Sequence, residues 1–144
     1  MARPKDFREL IVWQKAMSLA REVFEQCHKF PKAEAYDLMS QMRRAAVSVP
    51  SNIAEGHGRL TDAQFRHFLG NARGSLCEVQ TQIELAVELG FLAPESRSRL
   101  IEIAAEVARL LNGLIAALGS SRDAGGGTSS ANSASIASSA QRGR

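Results

Sequence analysis

The sequence predicts an all-α protein, an antiparallel up-down four-helix bundle whose second helix is kinked. Three observations predict it. Apolar residues recur three or four apart through four successive segments, which is the spacing of one helical face. Helix-breaking residues stand between those segments: Pro31, the Gly56-His57-Gly58 turn, and Gly90 followed by Pro94. No alternating run of β-branched residues lies between turn dipeptides, so no strand competes. Four amphipathic helices with short connections satisfy their apolar faces by packing as a bundle.

The first helix is expected after Asp6. Asp6-Phe7-Arg8-Glu9 has the spacing of a capping box, in which Asp6 accepts from the Glu9 N–H and Glu9 reaches back. Trp13, Ala16, Met17, Ala20, Val23, Phe24, Cys27 and Phe30 then form an apolar stripe. Pro31 ends it, because the residue before a proline is pushed out of the helical region.

The second helix carries Leu38, Met42, Ala45, Ala46, Val49 and Ile53 in phase. Pro50 interrupts this stripe, removing one backbone hydrogen bond and crowding the Ala46 carbonyl. Since the stripe keeps its phase across Pro50, a kinked but continuous helix is expected. Gly56 and Gly58 suit the left-handed conformations of a helix stop.

The third helix has the clearest start. Thr61-Asp62-Ala63-Gln64 is a capping box, and Leu60 and Phe65 are placed as a hydrophobic staple. Phe65, Phe68, Leu69, Ala72, Leu76, Val79, Ile83, Ala86 and Val87 make its core stripe. Gly70 and Gly74 each cost ~1 kcal/mol against alanine inside a helix, so close helix contact is expected to compensate there. Gly90 ends the helix, and Phe91-Leu92 plugs the end of the core.

The fourth helix opens at Pro94, a favoured first-turn position. Leu100, Ala104, Val107, Leu111, Leu114 and Leu118 form the inward row, with Ile101, Ala108 and Ile115 beside it. That face is wider than one bundle seam needs, which points to a subunit interface. From Ser120 the chain turns small and polar, so residues 1–119 read as the bundle and 120–144 as a disordered Gly/Ser/Ala-rich tail.

Several function classes are excluded or disfavoured by the totals. At 144 residues the chain is one domain, large enough to be stable without staples. No apolar run approaches the ~20 residues of a membrane span. Met1-Ala2-Arg3-Pro4-Lys5-Asp6 is not followed by a signal-peptide core. Cys27 and Cys77 read as a reduced pair rather than a disulfide, which places the protein in the cytoplasm.

Candidate chemistry gathers around the second helix. Glu55, His57 and Arg59 flank the glycine turn, but no nucleophile or second carboxylate accompanies them, and a capped helix end is the simpler reading. The three histidines show no metal-ligand spacing, so neither a metal nor a cofactor is expected. Gly56-His57-Gly58 follows a helix rather than a strand and is not a phosphate loop.

Charge is distributed more tellingly than the formal net charge of +3 suggests. Residues 41–77 hold five arginines against two carboxylates, and residues 78–111 hold three arginines against six glutamates. Arg43, Arg44, Arg59, Arg66 and Arg73 are therefore the candidate phosphate contacts, with Arg66 and Arg73 on one face of the third helix. The competing reading is a solvated face, or salt bridges between subunits to the glutamates of the last two helices.

Trp13-Gln14-Lys15-Ala16, the run from Arg43 to Arg59, the run from Gly74 to Gln82, and Leu89-Gly90-Phe91-Leu92 together resemble a known family. It is the bacterial four-helix-bundle family encoded in intervening sequences of 23S rRNA genes, and the resemblance spans Phe7 to Leu118. It implies an up-down bundle assembled as a ring, typically a homopentamer, with no catalytic residues. A related branch resembles the accessory protein of diversity-generating retroelements, a basic pentameric barrel that binds nucleic acid and a reverse transcriptase. The leading expectation is thus a non-catalytic accessory or scaffold protein associated with RNA or DNA. The alternative is a module that docks a protein partner, such as a reverse transcriptase, without touching nucleic acid. An enzyme would need a pocket around Glu55 and His57.

Overall fold

The computed structural model describes residues 3–123, with side chains to residue 120. Among the described residues it is all-α: a 3₁₀ turn at Phe7–Glu9, then α1 (Ile11–Cys27), α2 (Tyr36–His57), α3 (Asp62–Glu88) and α4 (Pro94–Asp123). Each helix packs on two others. α1 touches α2 and α4, and α3 touches α2 and α4, so the four surround one core.

The helix starts follow local chemistry, with two corrections. Thr61 caps α3, its hydroxyl accepting from the Gln64 N–H at 3.2 Å. The box at Asp6 does not form on α1. Asp6 accepts instead from the Arg8 N–H at 2.8 Å and caps the 3₁₀ turn, and α1 begins at Ile11 without a side-chain cap. Leu60 is 95% exposed and makes no staple with the buried Phe65.

The stripes of α2, α3 and α4 lie inward much as their spacing predicts. Met42, Ala46, Val49 and Ile53 are fully buried, and α2 runs unbroken through the buried Pro50. Phe65, Leu69, Ala72, Leu76, Val79 and Ile83 face them from α3. Along α1 and its end, Ala16, Ala20, Val23, Cys27 and Phe30 are buried as the spacing predicts, but Val12 and Leu19 are buried beside them, whereas Met17 is exposed and Trp13 and Phe24 are half-buried. A leucine-sized side chain removed from water contributes about 1.5–3 kcal/mol, so these rows decide which faces meet.

The wide face of α4 is closed within the chain. Ile115 is buried, and Ile101 and Ala108 are half-buried against the same core. The helix itself continues past Ser120 to Asp123. The tail expected beyond it, 124–144, lies outside the described residues.

Glycine has different uses from those its spacing suggests. Gly90 holds a left-handed φ of 76° and closes α3, with the Phe91 N–H reaching back to the Ala86 carbonyl at 2.9 Å. Phe91 then rests against Phe30, ring centroids 5.9 Å apart, over the buried Leu92. Gly58 is right-handed (φ −75°) and Gly56 lies inside α2. Gly70 and Gly74 are exposed, and a Cβ added at either would meet nothing within 4 Å, so no close helix contact compensates them.

Candidate functional site

Three surfaces gather the polar residues. The first is the corner where α2 turns into α3. Gly56 lets α3 approach closely: a Cβ there would lie 2.7 Å from Phe68 Cβ and 3.0 Å from Phe65 Cδ1. His57 Nε2 donates to the Pro4 carbonyl at 2.6 Å, with its ring edge-on to Phe65. Arg3 completes a strap across the corner. Its guanidinium lies over Phe65, pairs with Asp62 at 2.6 Å, and donates to the Arg59 carbonyl at 2.7 Å. Arg59 in turn pairs with Glu55 at 3.0 Å and lies 4.5 Å over the Phe68 ring.

This corner does not assemble an acid–base pair. Glu55 is exposed and engaged by Arg59, and His57 is engaged by a backbone carbonyl. The adjacent cavity of about 190 Å³ is mostly apolar, lined by Pro4, Leu10, Phe65, Leu114 and Leu118 beside Arg3 and Asp62. Among the described residues no group of three His, Cys, Asp or Glu side chains could hold a metal.

The second surface is the seam between α2 and α3, and it is unexpectedly polar. Ser48 and Ser75 share a hydrogen bond at 2.9 Å, and Asn52 Nδ2 donates to the Ser48 carbonyl and hydroxyl at 2.8 and 3.0 Å. Beside them a groove of about 500 Å³ is lined by Gln41, Arg44, Glu78 and Gln82. Gln82 Oε1 is buried there without a hydrogen-bond partner among the described residues. The i, i+4 pair Ser48/Asn52, sitting beside an apolar stripe, is the one sequence signal that points to this seam.

The third surface lies at the α1–α2 turn. Arg43 is half-buried, its guanidinium 5.7 Å over the Phe24 ring. With Cys27, His28, Lys32, Tyr36 and Met39 it lines a cavity of about 280 Å³. Burial pushes the Cys27 thiol above its ordinary pKa, and the nearby Arg43 charge opposes that only in part. Cys77, by contrast, is exposed on α3, and both cysteines are free.

The five candidate arginines do not share one face. Arg43 is on the α1–α2 side, Arg44 in the α2–α3 groove, and Arg59 at the corner. Arg66 and Arg73 do share a face, where both turn toward α4. Arg66 Nε donates to the Ile115 carbonyl at 3.3 Å, and Arg73 donates to Asn112 Oδ1 at 3.2 Å. One glutamate on each of α1, α3 and α4 is held by another cation, while Glu78, which lines the groove with Arg44, is in no ion pair among the described residues. Arg97 grips Glu84 through two hydrogen bonds of 3.1 and 2.6 Å, Arg99 pairs with Glu22 at 2.6 Å, and Lys15 with Glu106 at 3.4 Å. The Arg97 hydrogen bonds hold the Glu84 carboxyl below its usual range. Likewise the Arg8 backbone N–H holds Asp6 low.

Among the described residues no helix is long and apolar enough to cross a membrane. No curated protein matches the chain. A solved structure of similar fold is that of a protein of unknown function from the S23 ribosomal protein family of Bacteroides thetaiotaomicron. It superposes with a TM-score of 0.67 at 22% identity, covering 73% of this chain and 95% of that one. That likeness establishes the fold. The family model for the 23S rRNA-intervening sequence protein matches residues 8–113, the whole run from the 3₁₀ turn well into α4. The chain belongs to the 23S rRNA-intervening sequence protein family.

Proposed function

We propose that this protein is a non-catalytic accessory or scaffold protein that associates with nucleic acid, RNA in the first place, as a ring-shaped homo-oligomer in the cytoplasm. The observation that carries the reading is electrostatic. Among the described residues Arg43 and Arg44 have no carboxylate within salt-bridge reach, while Glu22, Glu55, Glu84 and Glu106 are each engaged by another cation. Unpaired arginines on a folded surface attract phosphate, and in a ring each would repeat with every subunit. The homopentamer, the antiparallel up-down order and a kink of α2 at Pro50 belong to the same proposal. Short connections and the adjacency of consecutive helices support the up-down order.

Self-association finds its support on α1 and α2 rather than on α4. Trp13, Met17, Ala20, Val47, Pro50 and Ala54 line an apolar groove of about 320 Å³, in which Met17 and Val47 are 43% and 46% exposed. We assign this groove to a second copy of the chain. The same groove favours the second reading, in which it docks a different protein, such as a reverse transcriptase, and nucleic acid is never touched.

Light scattering followed by RNA titration tests the proposal. The parent protein is expected to scatter as an oligomer and to bind RNA with an affinity that falls steeply as salt rises. The double variant Arg43→Ala/Arg44→Ala is expected to bind more weakly with a shallower salt dependence. Absence of RNA and DNA binding at low salt would discard the nucleic-acid reading in favour of protein docking.

A further inference from the structure

The cavity at the α1–α2 turn combines features that the five arginines alone do not. Tyr36 is 68% exposed at the first turn of α2, and Met39 and Arg43 follow it on the same face at helical spacing. Lys32 and His28 close the cavity from the turn and the end of α1. The side chains of His28, Lys32, Tyr36 and Arg43 make no hydrogen bond or ion pair among the described residues. The cavity wall carries no carboxylate, although Glu34 and Asp37 flank it in sequence and are exposed.

We infer that this cavity is a binding site for single-stranded nucleic acid, in which one unstacked base lies on Tyr36 and the adjoining phosphates meet Lys32 and Arg43. The inference rests on the nucleic-acid reading above and gives it a location. An exposed aromatic ring between cations is the arrangement single strands use: every base has a π-face to stack, and the backbone supplies the anion. A duplex offers no unstacked base to such a ring. Arg43 is well prepared for the anion. Its guanidinium carbon lies 5.7 Å over the Phe24 ring, a cation–π placement that favours one position for it, and half-burial reduces the screening of its charge. Tyr36 and Arg43 are roughly 10 Å apart along the helix, so one strand segment can reach both. A cavity of about 280 Å³ is at the small end of ligand sites, which fits the entry of a single base rather than a larger ligand. The site is also distinct from the apolar groove, which lies further along the same helices toward Trp13 and Ala54.

Fluorescence anisotropy on the full chain tests the inference, with a short labelled oligouridine as probe and an RNA duplex of equal length beside it. Tyr36→Ser is expected to weaken oligouridine binding roughly tenfold, and Tyr36→Phe to bind like the parent, because stacking needs the ring and not the hydroxyl. Lys32→Gln/Arg43→Gln is expected to flatten the log–log salt slope by about 1.4, two single-strand phosphate contacts at ~0.7 each. Arg66→Gln/Arg73→Gln is expected to change little. If the parent binds but Tyr36→Ser matches it, or the loss appears only in Arg66→Gln/Arg73→Gln, the site is overturned while the broader reading stands. If the parent binds neither probe at low salt, the broader reading fails and this site with it. Melting curves accompany each variant, and should the Arg43 substitution unfold the chain, the contrast of serine with phenylalanine at exposed Tyr36 still decides.

Discussion

Replacing Gly56 with alanine sets two well-measured effects against each other. Alanine is favoured over glycine inside a helix by ~1 kcal/mol, so helix propensity alone predicts a more stable protein. The packing predicts the opposite. The new Cβ would stand 2.7 Å from Phe68 Cβ, 3.0 Å from Phe65 Cδ1 and 3.2 Å from the Phe65 carbonyl oxygen. Phe68 Cβ and the Phe65 carbonyl cannot swing aside as a side-chain tip would. Relief requires α3 to move off α2, along a seam that also holds the Ser48–Ser75 hydrogen bond. Overpacking of this kind costs about 1–3 kcal/mol, and the rigid neighbours put Gly56→Ala at the upper end. After the propensity gain the net loss is about 1–2 kcal/mol. The control is internal. At Gly70 and Gly74 a Cβ meets nothing within 4 Å, so Gly70→Ala and Gly74→Ala keep the propensity gain and stabilise by up to ~1 kcal/mol each. Urea unfolding followed by far-UV circular dichroism reads all three. Stability of Gly56→Ala at or above the parent's would refute the reasoning, as would an equal loss at Gly70.

In the native protein a thiol reagent is expected to modify Cys77 quickly and Cys27 only on unfolding, because Cys27 is 1% exposed and burial raises its pKa; equal native rates would contradict that burial. Glu84 has its folded pKa lowered by Arg97, so its contribution is fully present above the ordinary value of 4.5 and fades as pH falls through the folded one. Glu84→Gln should therefore melt below the parent at neutral pH and alongside it in acid, and a gap that persists in acid would mean the loss is not electrostatic. Met17→Glu/Val47→Glu places charge in the α1–α2 groove; the scattering mass is expected to fall to that of a monomer with helix content retained, and an unchanged mass would place the subunit contact elsewhere.

Helix existence and most core rows were legible in the sequence, because a row such as Leu69, Ala72, Leu76, Val79 and Ile83 has one apolar face and no rival. The face of α1 was legible only in part. Ala16, Ala20 and Val23 lie on it as their spacing predicts, but Val12 and Leu19 compete with Trp13 and Met17 as comparably apolar positions, and only the neighbouring helices choose between them. Leu60 shows the same limit, since a staple requires the chain entering α3 to fold back, and here Arg3 and Pro4 occupy that corner instead. The arginines were legible as a basic segment but not as a surface. Which helix each one faces depends on packing, and Arg66 and Arg73 find acceptors on α4 that lie far along the chain. The Ser48–Ser75 contact was hidden for the same reason, its partners being 27 residues apart.

The stretch of the sequence from Ser48 to Arg59 therefore encodes a joint. Ser48 and Asn52 stitch α2 to α3, Gly56 admits the two phenylalanines, His57 holds the Pro4 carbonyl, and Arg59 lies between Glu55 and Phe68. Each of these side chains already has a structural partner, and a group so engaged has little left for a ligand unless the joint opens. A family can share such a block because the corner must fold, whatever the bundle then binds. Four cationic or aromatic groups without a polar partner among the described residues lie just before it, Lys32, Tyr36, Arg43 and Arg44, on the first half of α2 and the turn that precedes it. Function is thus expected to vary with the residues on that segment while the joint stays fixed. Exchanging Lys32, Tyr36 and Arg43 between family members should move ligand preference without moving the melting temperature, whereas exchanging Gly56 or His57 should do the reverse.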